Sequence, residues 1–402
     1  MENEIYLDNA ATTRCDEEIL TAMHRVLTED YGNPSSMHRK GYKAEQLLKK
    51  AGEDVAAALS VRPQEIFFTS CGTEGDNLAL FGAARANARK GKHIVISAIE
   101  HAAVAEAARA LAEEGFEIST IPVNEYGIVD PEEAAALVRP DTVLVSVMTV
   151  NNEIGTAEDL PAIARAVKEK APGVLVHTDA VQAFGKMPLF PARDGIDLLA
   201  VSGHKLHAPK GTGFLYVRKG VKLTPILYGG GQQDGLRPGT DNVPGAVAVS
   251  LAAVKSVRNL AERSGRMAAM RDGFVRKLYE TLPEIRVNGP AGAAVMPEGT
   301  ERDRLLAAAA PHIVSLSVPG VRAEVLLHAL EDKGIYVSAG SACSSHAAKK
   351  QPGTATLRAI GLPAGCLAST VRFSFSGETT REELDKTVQA LAELVPTLRR
   401  FS

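Results

Sequence analysis

The sequence has almost no excess charge of either sign. Its 45 Lys and Arg face 48 Asp and Glu, leaving a formal −3. That balance provides no broad electrostatic grip on a nucleic-acid backbone or an anionic membrane, so a small-molecule substrate is expected and direct nucleic-acid contact is not. No uninterrupted apolar run is long enough to span a bilayer. Residues 1–13 lack the basic stretch and apolar run of a secretory leader, and a cytoplasmic location is the expectation. Cysteine is scarce. The four residues, Cys15, Cys71, Cys343 and Cys366, are scattered without the paired spacing of a metal site, and a chain of 402 residues has no need of disulfide staples. A special cysteine here is expected to do chemistry, and no metal is expected: His204 and His207 have no third ligand in view.

The chain also has the balance of a folded protein, with 45% hydrophobic and 23% charged residues. From about residue 66 to 219, short apolar runs alternate with Ala-rich segments of helical period, predicting a mainly parallel sheet covered by helices on both faces. A helical stretch over residues 243–281, with a break expected near Ser264, leads to a second composition that reads as a smaller α+β domain. The expected division is a large domain over residues 15–260, with residues 1–14 and 261–402 forming the small one. Residues 289–311, rich in Ala, Gly and charge, are expected to be a surface insertion or hairpin.

In such folds ligands sit at the carboxyl ends of the strands, and the unusual polar residues collect there. Lys205 follows an apolar run and Ser202, Gly203 and His204; a lysine at a strand end can form a Schiff base, although an isolated one is ordinarily a surface residue. Asp179, ending another run, can pair with a protonated pyridine nitrogen or simply cap a helix. Gln182 can donate to a ring oxygen. Gly72 and Thr73 open a helix after a small-residue turn, where free N–H groups can seat a phosphate. His101 can lie flat on an aromatic ring or be a packed loop residue. Asn152 puts an amide at a further strand end. Arg372 suits an amino acid's carboxylate or a structural salt bridge.

Cys343 lies among Gly340, Ser341, Ala342, Ser344 and Ser345, with Lys349 and Lys350 nearby. Small residues let a loop move, and neighbouring cations favour the thiolate of a group whose ordinary pKa is ~8.5.

With these motifs assembled, the sequence resembles the cysteine desulfurases of the nitrogen-fixation and iron-sulfur-cluster type, within the fold-type I pyridoxal-phosphate (PLP) enzymes. The likeness runs from residues 6–13 through 31–36, 100–101, 150–155, 178–182, 202–205, 236–240 and 340–345 to 371–376. It implies an α/β fold of type I and conversion of L-cysteine to L-alanine, with the sulfur left as a persulfide on Cys343. It implies Lys205 as the PLP lysine, Asp179 at the pyridine nitrogen, Gln182 at the ring oxygen and His101 stacked on the ring and donating a proton. Gly72, Thr73, Ser202 and His204 would hold the phosphate, while Asn152 and Arg372 would hold the substrate carboxylate. Thr240 would reach the phosphate of a neighbouring subunit, so a homodimer is implied, as is a sulfur-acceptor protein such as an iron-sulfur scaffold or a tRNA-thiolation protein. Cys71 and Pro238 depart from the family pattern, and residues 343–358 are a few residues longer. A selenocysteine lyase, an aminotransferase and a sulfur-transfer scaffold are the rival expectations.

Overall fold

The computed structural model describes residues 4–282, 284–339 and 353–400. Its strands, in chain order, are β1 (Ile5–Tyr6), β2 (Ile66–Thr69), β3 (His93–Ser97), β4 (Glu117–Ile121), β5 (Thr142–Ser146), β6 (Leu175–Asp179), β7 (Leu198–Ser202), β8 (Gly213–Val217), β9 (Arg286–Asn288), β10 (Ile313–Ser317), β11 (Ile335–Tyr336), β12 (Ser338–Ala339) and β13 (Thr370–Ser374). Seven form one sheet in the order β2-β8-β7-β6-β5-β3-β4. The block from β7 to β4 is parallel; β8 runs antiparallel to both β7 and β2. Two reversals restore the direction, so β2 ends on the same edge as β3, β5, β6 and β7. Every strand-end motif predicted from the sequence therefore reaches one rim.

The central strands β3, β5, β7 and β8 are buried along their whole length, as unbroken apolar runs require when helices cover both faces. One core, containing Val145, Val176, Leu199, Phe184 and Val249, fills one face. A second, with Leu78, Leu80, Leu144, Ala200 and Leu215, fills the other. The helix Gly72–Asn87 comes down close on the second face: a Cβ on Gly75 would stand 3.1 Å from that of Ala200 on β7. A larger residue there would lift the helix off the sheet.

A separate core is built from Phe274, Leu316, Phe373, Phe375 and Leu391, and it takes in Ile5 and Leu7 from the amino-terminal end. Around it β12-β13-β10-β9 form an antiparallel sheet, and β1 pairs with β11. The helical stretch 243–281 breaks at Asn259, between helices Val243–Val257 and Leu260–Thr281, and not near Ser264. Asn259 adopts φ 50°, a left-handed conformation that asparagine tolerates better than most residues. Residues 289–311 form in part the expected surface insertion, with residues 297–301 exposed, but they are not a hairpin. They form a short 3-10 turn (Pro290–Val295) and a helix (Thr300–Ala307), burying Ala291, Ala293, Ala294 and Leu305. Their small apolar side chains fit beneath the neighbouring helix, which an exposed hairpin would not need.

Candidate active site

A cavity of about 180 Å³ opens at the carboxyl rim of the large sheet. It is lined by Gly72, Thr73, His101, Asn152, Asp179, Gln182, Ser202, His204, Lys205 and Arg372. These are ten of the twelve residues proposed from the sequence. Thr240 is exposed and does not line it, and Cys343 lies outside the described residues.

Lys205 closes a single 3-10 turn after β7, and its Nζ donates to the carbonyls of Ala10 and Ala11, each at 2.6 Å. The amine is thus held against the amino-terminal segment at the mouth of the sheet. Asp179, the last residue of β6, is 5% exposed and accepts from the Val181 N–H at 2.9 Å. Burial pushes its pKa up, while His101, that hydrogen bond and Lys205 pull it down. A cationic ring nitrogen beside it would hold it ionised.

His101 caps the helix Ala102–Glu113: its Nδ1 accepts from the Ala103 N–H at 3.1 Å. An accepting Nδ1 carries no proton, so in the neutral ring the proton resides on Nε2. Beneath it Glu100 accepts from Ser97 Oγ and the Met148 N–H, and burial raises its pKa to about 8. Gln182 is oriented by two neighbours, donating from Nε2 to Ala10 O at 2.9 Å and meeting His312 Nε2 through Oε1 at 3.4 Å. Its second amide hydrogen is not used by either contact.

The small-residue turn after β2 leaves the helix Gly72–Asn87 without a side-chain cap, so its first N–H groups face the rim. Ser202, 2% exposed, has a buried Oγ without a hydrogen-bond partner among the described residues. His204 meets Thr12 Oγ1 at 3.2 Å, and burial together with Lys205, Lys210 and Lys186 lowers its pKa to about 4. It is a neutral hydrogen-bonding group near pH 7. Uncapped N–H groups, an orphan hydroxyl and a neutral imidazole together form an anion seat built from neutral donors.

Arg372 enters from β13. Its side chain is 4% exposed, pairing with Asp8 at 2.8 Å and donating to Asn152 O at 2.7 Å, while Nε is buried without a partner. The structural salt bridge and the open donor therefore coexist in one guanidinium. Asp8 escaped the sequence reading because its partner is 364 residues away. The only local signal is an acid beside the fully buried Leu7. Asp76, which also lines the cavity, was missed for a similar reason: it lies inside an Ala-rich helix and reads as an exposed face.

The aminotransferase class-V family matches residues 5–387. A cysteine desulfurase IscS of Dictyoglomus turgidum is 38% identical over all of this chain and 97% of its own, and one of Methanosarcina thermophila is 38% identical over 99% and 93%. A solved NifS-like protein superposes with a TM-score of 0.88 at 36% identity, covering 98% of this chain and all of the other. The apo cysteine desulfurase of Thermococcus onnurineus superposes at 0.82 with 25% identity, over 98% and 95% of the two chains. With the strand-end lysine, the buried aspartate and the anion seat on one rim, and full-length likeness at this level, the chain belongs to the class-V aminotransferase family and, within it, to the cysteine desulfurases.

Proposed function

We propose that this protein converts L-cysteine to L-alanine and leaves the sulfur as a persulfide on Cys343, for delivery to an acceptor protein. The observation that carries the reading is the convergence of Lys205, Asp179, the anion seat and the open Nε of Arg372 on one cavity. These residues fit pyridoxal phosphate. Lys205 would bond its aldehyde carbon, Asp179 would face its ring nitrogen, and Gln182 and His101 would meet the ring. Its phosphate would be held by Gly72, Thr73, Ser202 and His204. Bound there, the cofactor supplies an electron sink for the pair left when a proton is removed from the α-carbon.

The chain's own groups do the rest. Arg372, with Asn152, fixes the substrate carboxylate in the cavity that Lys205 also lines. The Lys205 amine, free once the substrate's amine has taken its place, takes the α-proton as general base. The Cys343 thiolate attacks the substrate sulfur: an S–S bond forms, the substrate C–S bond breaks, and its electrons go to the β-carbon. His101 relays to the β-carbon the proton that Cys343 gave up on forming its thiolate, and Lys205 returns its proton to the α-carbon, which completes alanine. Cysteine and one thiol thus give alanine and one persulfide, with no external oxidant.

Thr240 is exposed and absent from its own chain's cavity, supporting a homodimer in which it reaches the neighbouring phosphate. The exposed Tyr31, Met37, Tyr42 and Tyr228 supply apolar surface for such contact. We assign residues 15–260 to the large domain and 1–14 with 261–402 to the small one; the separate apolar cores support this division. Acceptors of the iron-sulfur scaffold or tRNA-thiolation class fit a persulfide product, and a cytoplasmic place fits a chain in which no described helix can cross a membrane.

Borohydride reduction of the protein loaded with pyridoxal phosphate, followed by peptide mass analysis, tests the cofactor assignment. The added mass is expected on Lys205, and Lys205→Ala is expected to release no alanine. Label on another lysine, or undiminished alanine release by Lys205→Ala, would overturn the assignment.

A further inference from the structure

Asp76 is one of the most deeply buried carboxyls in the protein, 1% exposed, and it lines the same cavity as Asp179. The close seating of its helix at Gly75 brings it over β6, where His177 and Asp179 alternate to the same face. Asp76 Oδ1 stands 3.4 Å from His177 Nε2, yet neither atom makes an aligned hydrogen bond with any described residue. His177 Nδ1 is engaged by Ser146 Oγ at 2.9 Å, and burial depresses the ring's pKa to about 3, so it offers no positive charge. The other ionisable groups acting on Asp76 are Asp179, Glu100 and Cys71, which all disfavour a second anion. Asp179 has the Lys205 ammonium to stabilise its charge, whereas no cation is among the groups acting on Asp76.

We propose that Asp76 is a positioning residue held as a neutral acid, which keeps Asp179 as the single buried anion facing the ring-nitrogen end of the cavity. This rests on the assignment of Asp179 to the ring nitrogen. The physical reason is that two adjacent carboxylates in a desolvated site do not both ionise, and the charge settles where the cations are. The arrangement is costly to the fold. A carboxyl whose folded pKa lies above its unfolded value leaves the native state binding the extra proton, so stability is full below the unfolded pKa and declines as pH rises toward the folded one.

Asp76→Asn reproduces the shape of the neutral acid without its proton. In the cofactor-free protein, the infrared spectrum is expected to lose one deuterium-sensitive neutral-carboxyl band. The melting temperature at neutral pH is expected to exceed that of wild type, with the gain shrinking toward pH 4. An unchanged carboxyl band, or melting curves that superimpose from pH 4 to 8, would overturn the proposal by showing Asp76 ionised. Asp179→Asn separates the two readings: an unaltered nitrogen-15 shift of the cofactor ring would refute the Asp179 assignment while leaving the infrared result on Asp76 to stand or fall alone.

Discussion

Arg372→Lys is the substitution that most sharply separates a structural arginine from a substrate-binding one. In the wild type, NH2 serves Asp8 and NH1 serves the Asn152 carbonyl, leaving the buried Nε and the remaining N–H groups for a ligand. A lysine keeps the positive charge, so Asp8, one-fifth exposed, retains a partner and the fold survives with the loss of about 1 kcal/mol for one hydrogen bond. An ammonium has only three donors and no planar fork, however, and satisfying Asp8 and Asn152 leaves at most one for the substrate. Losing one charge-assisted bond to the cysteine carboxylate costs about 1.5–3 kcal/mol. At 1.4 kcal/mol per decade, that is about a ten- to hundredfold rise in KM. Because the carboxylate is held equally before and during bond breaking, kcat is expected to fall much less than kcat/KM. Steady-state alanine release over a range of cysteine concentrations measures both. A KM within twofold of wild type, in a variant with native melting behaviour, would show that Arg372 serves only Asp8 and Asn152.

Two further outcomes follow from buried groups around the cavity. Ser202→Ala removes a hydroxyl with no partner in the protein, so the melting temperature of the cofactor-free chain should barely move. The affinity for pyridoxal phosphate, measured by fluorescence titration, should weaken about tenfold or more for one lost charge-assisted bond; an unchanged affinity would remove Ser202 from the phosphate seat. Lys186, 8% exposed and donating to Lys205 O at 3.1 Å, has its pKa pushed down to about 7 by burial, then by Lys205 and Arg263. Since the unfolded chain holds that proton up to about pH 10.5, its stabilising contribution is complete above that pH and is lost as pH falls toward 7. Relative to Lys186→Met, wild type should therefore gain up to about 1.4 kcal/mol per pH unit between pH 7 and 10. Denaturant unfolding of the cofactor-free proteins at pH 7, 8 and 9 would refute this if the difference stayed constant.

Much of the site was legible because a parallel sheet turns sequence order into spatial order. An apolar run followed by a polar residue means a strand followed by a rim position, and this alone placed His101, Asn152, Asp179, Ser202 and Lys205 together. What local pattern did not carry was contact between distant segments. Asp8 meets Arg372 only because the amino-terminal strand joins the separate core around Phe274 and Phe373, and Asp76 meets His177 only because Gly75 lets one helix settle on the sheet. The helix break illustrates a different limit. Both Asn259 and Ser264 lie in a polar stretch, and only the backbone shows which residue takes the left-handed turn. Residues 289–311 read as surface because alanine and glycine carry little hydrophobic signal, although small side chains are what close packing beneath a helix selects.

The central claim is a sulfur transfer that begins at Lys205 and ends on Cys343. Its most direct test is to incubate the protein, loaded with pyridoxal phosphate, with L-cysteine, following alanine release together with the mass of the Cys343 peptide. The account predicts one added sulfur atom on Cys343, appearing with the first equivalent of alanine and abolished by Lys205→Ala. Alanine formed without that adduct, or an adduct on Cys71 instead, would contradict it.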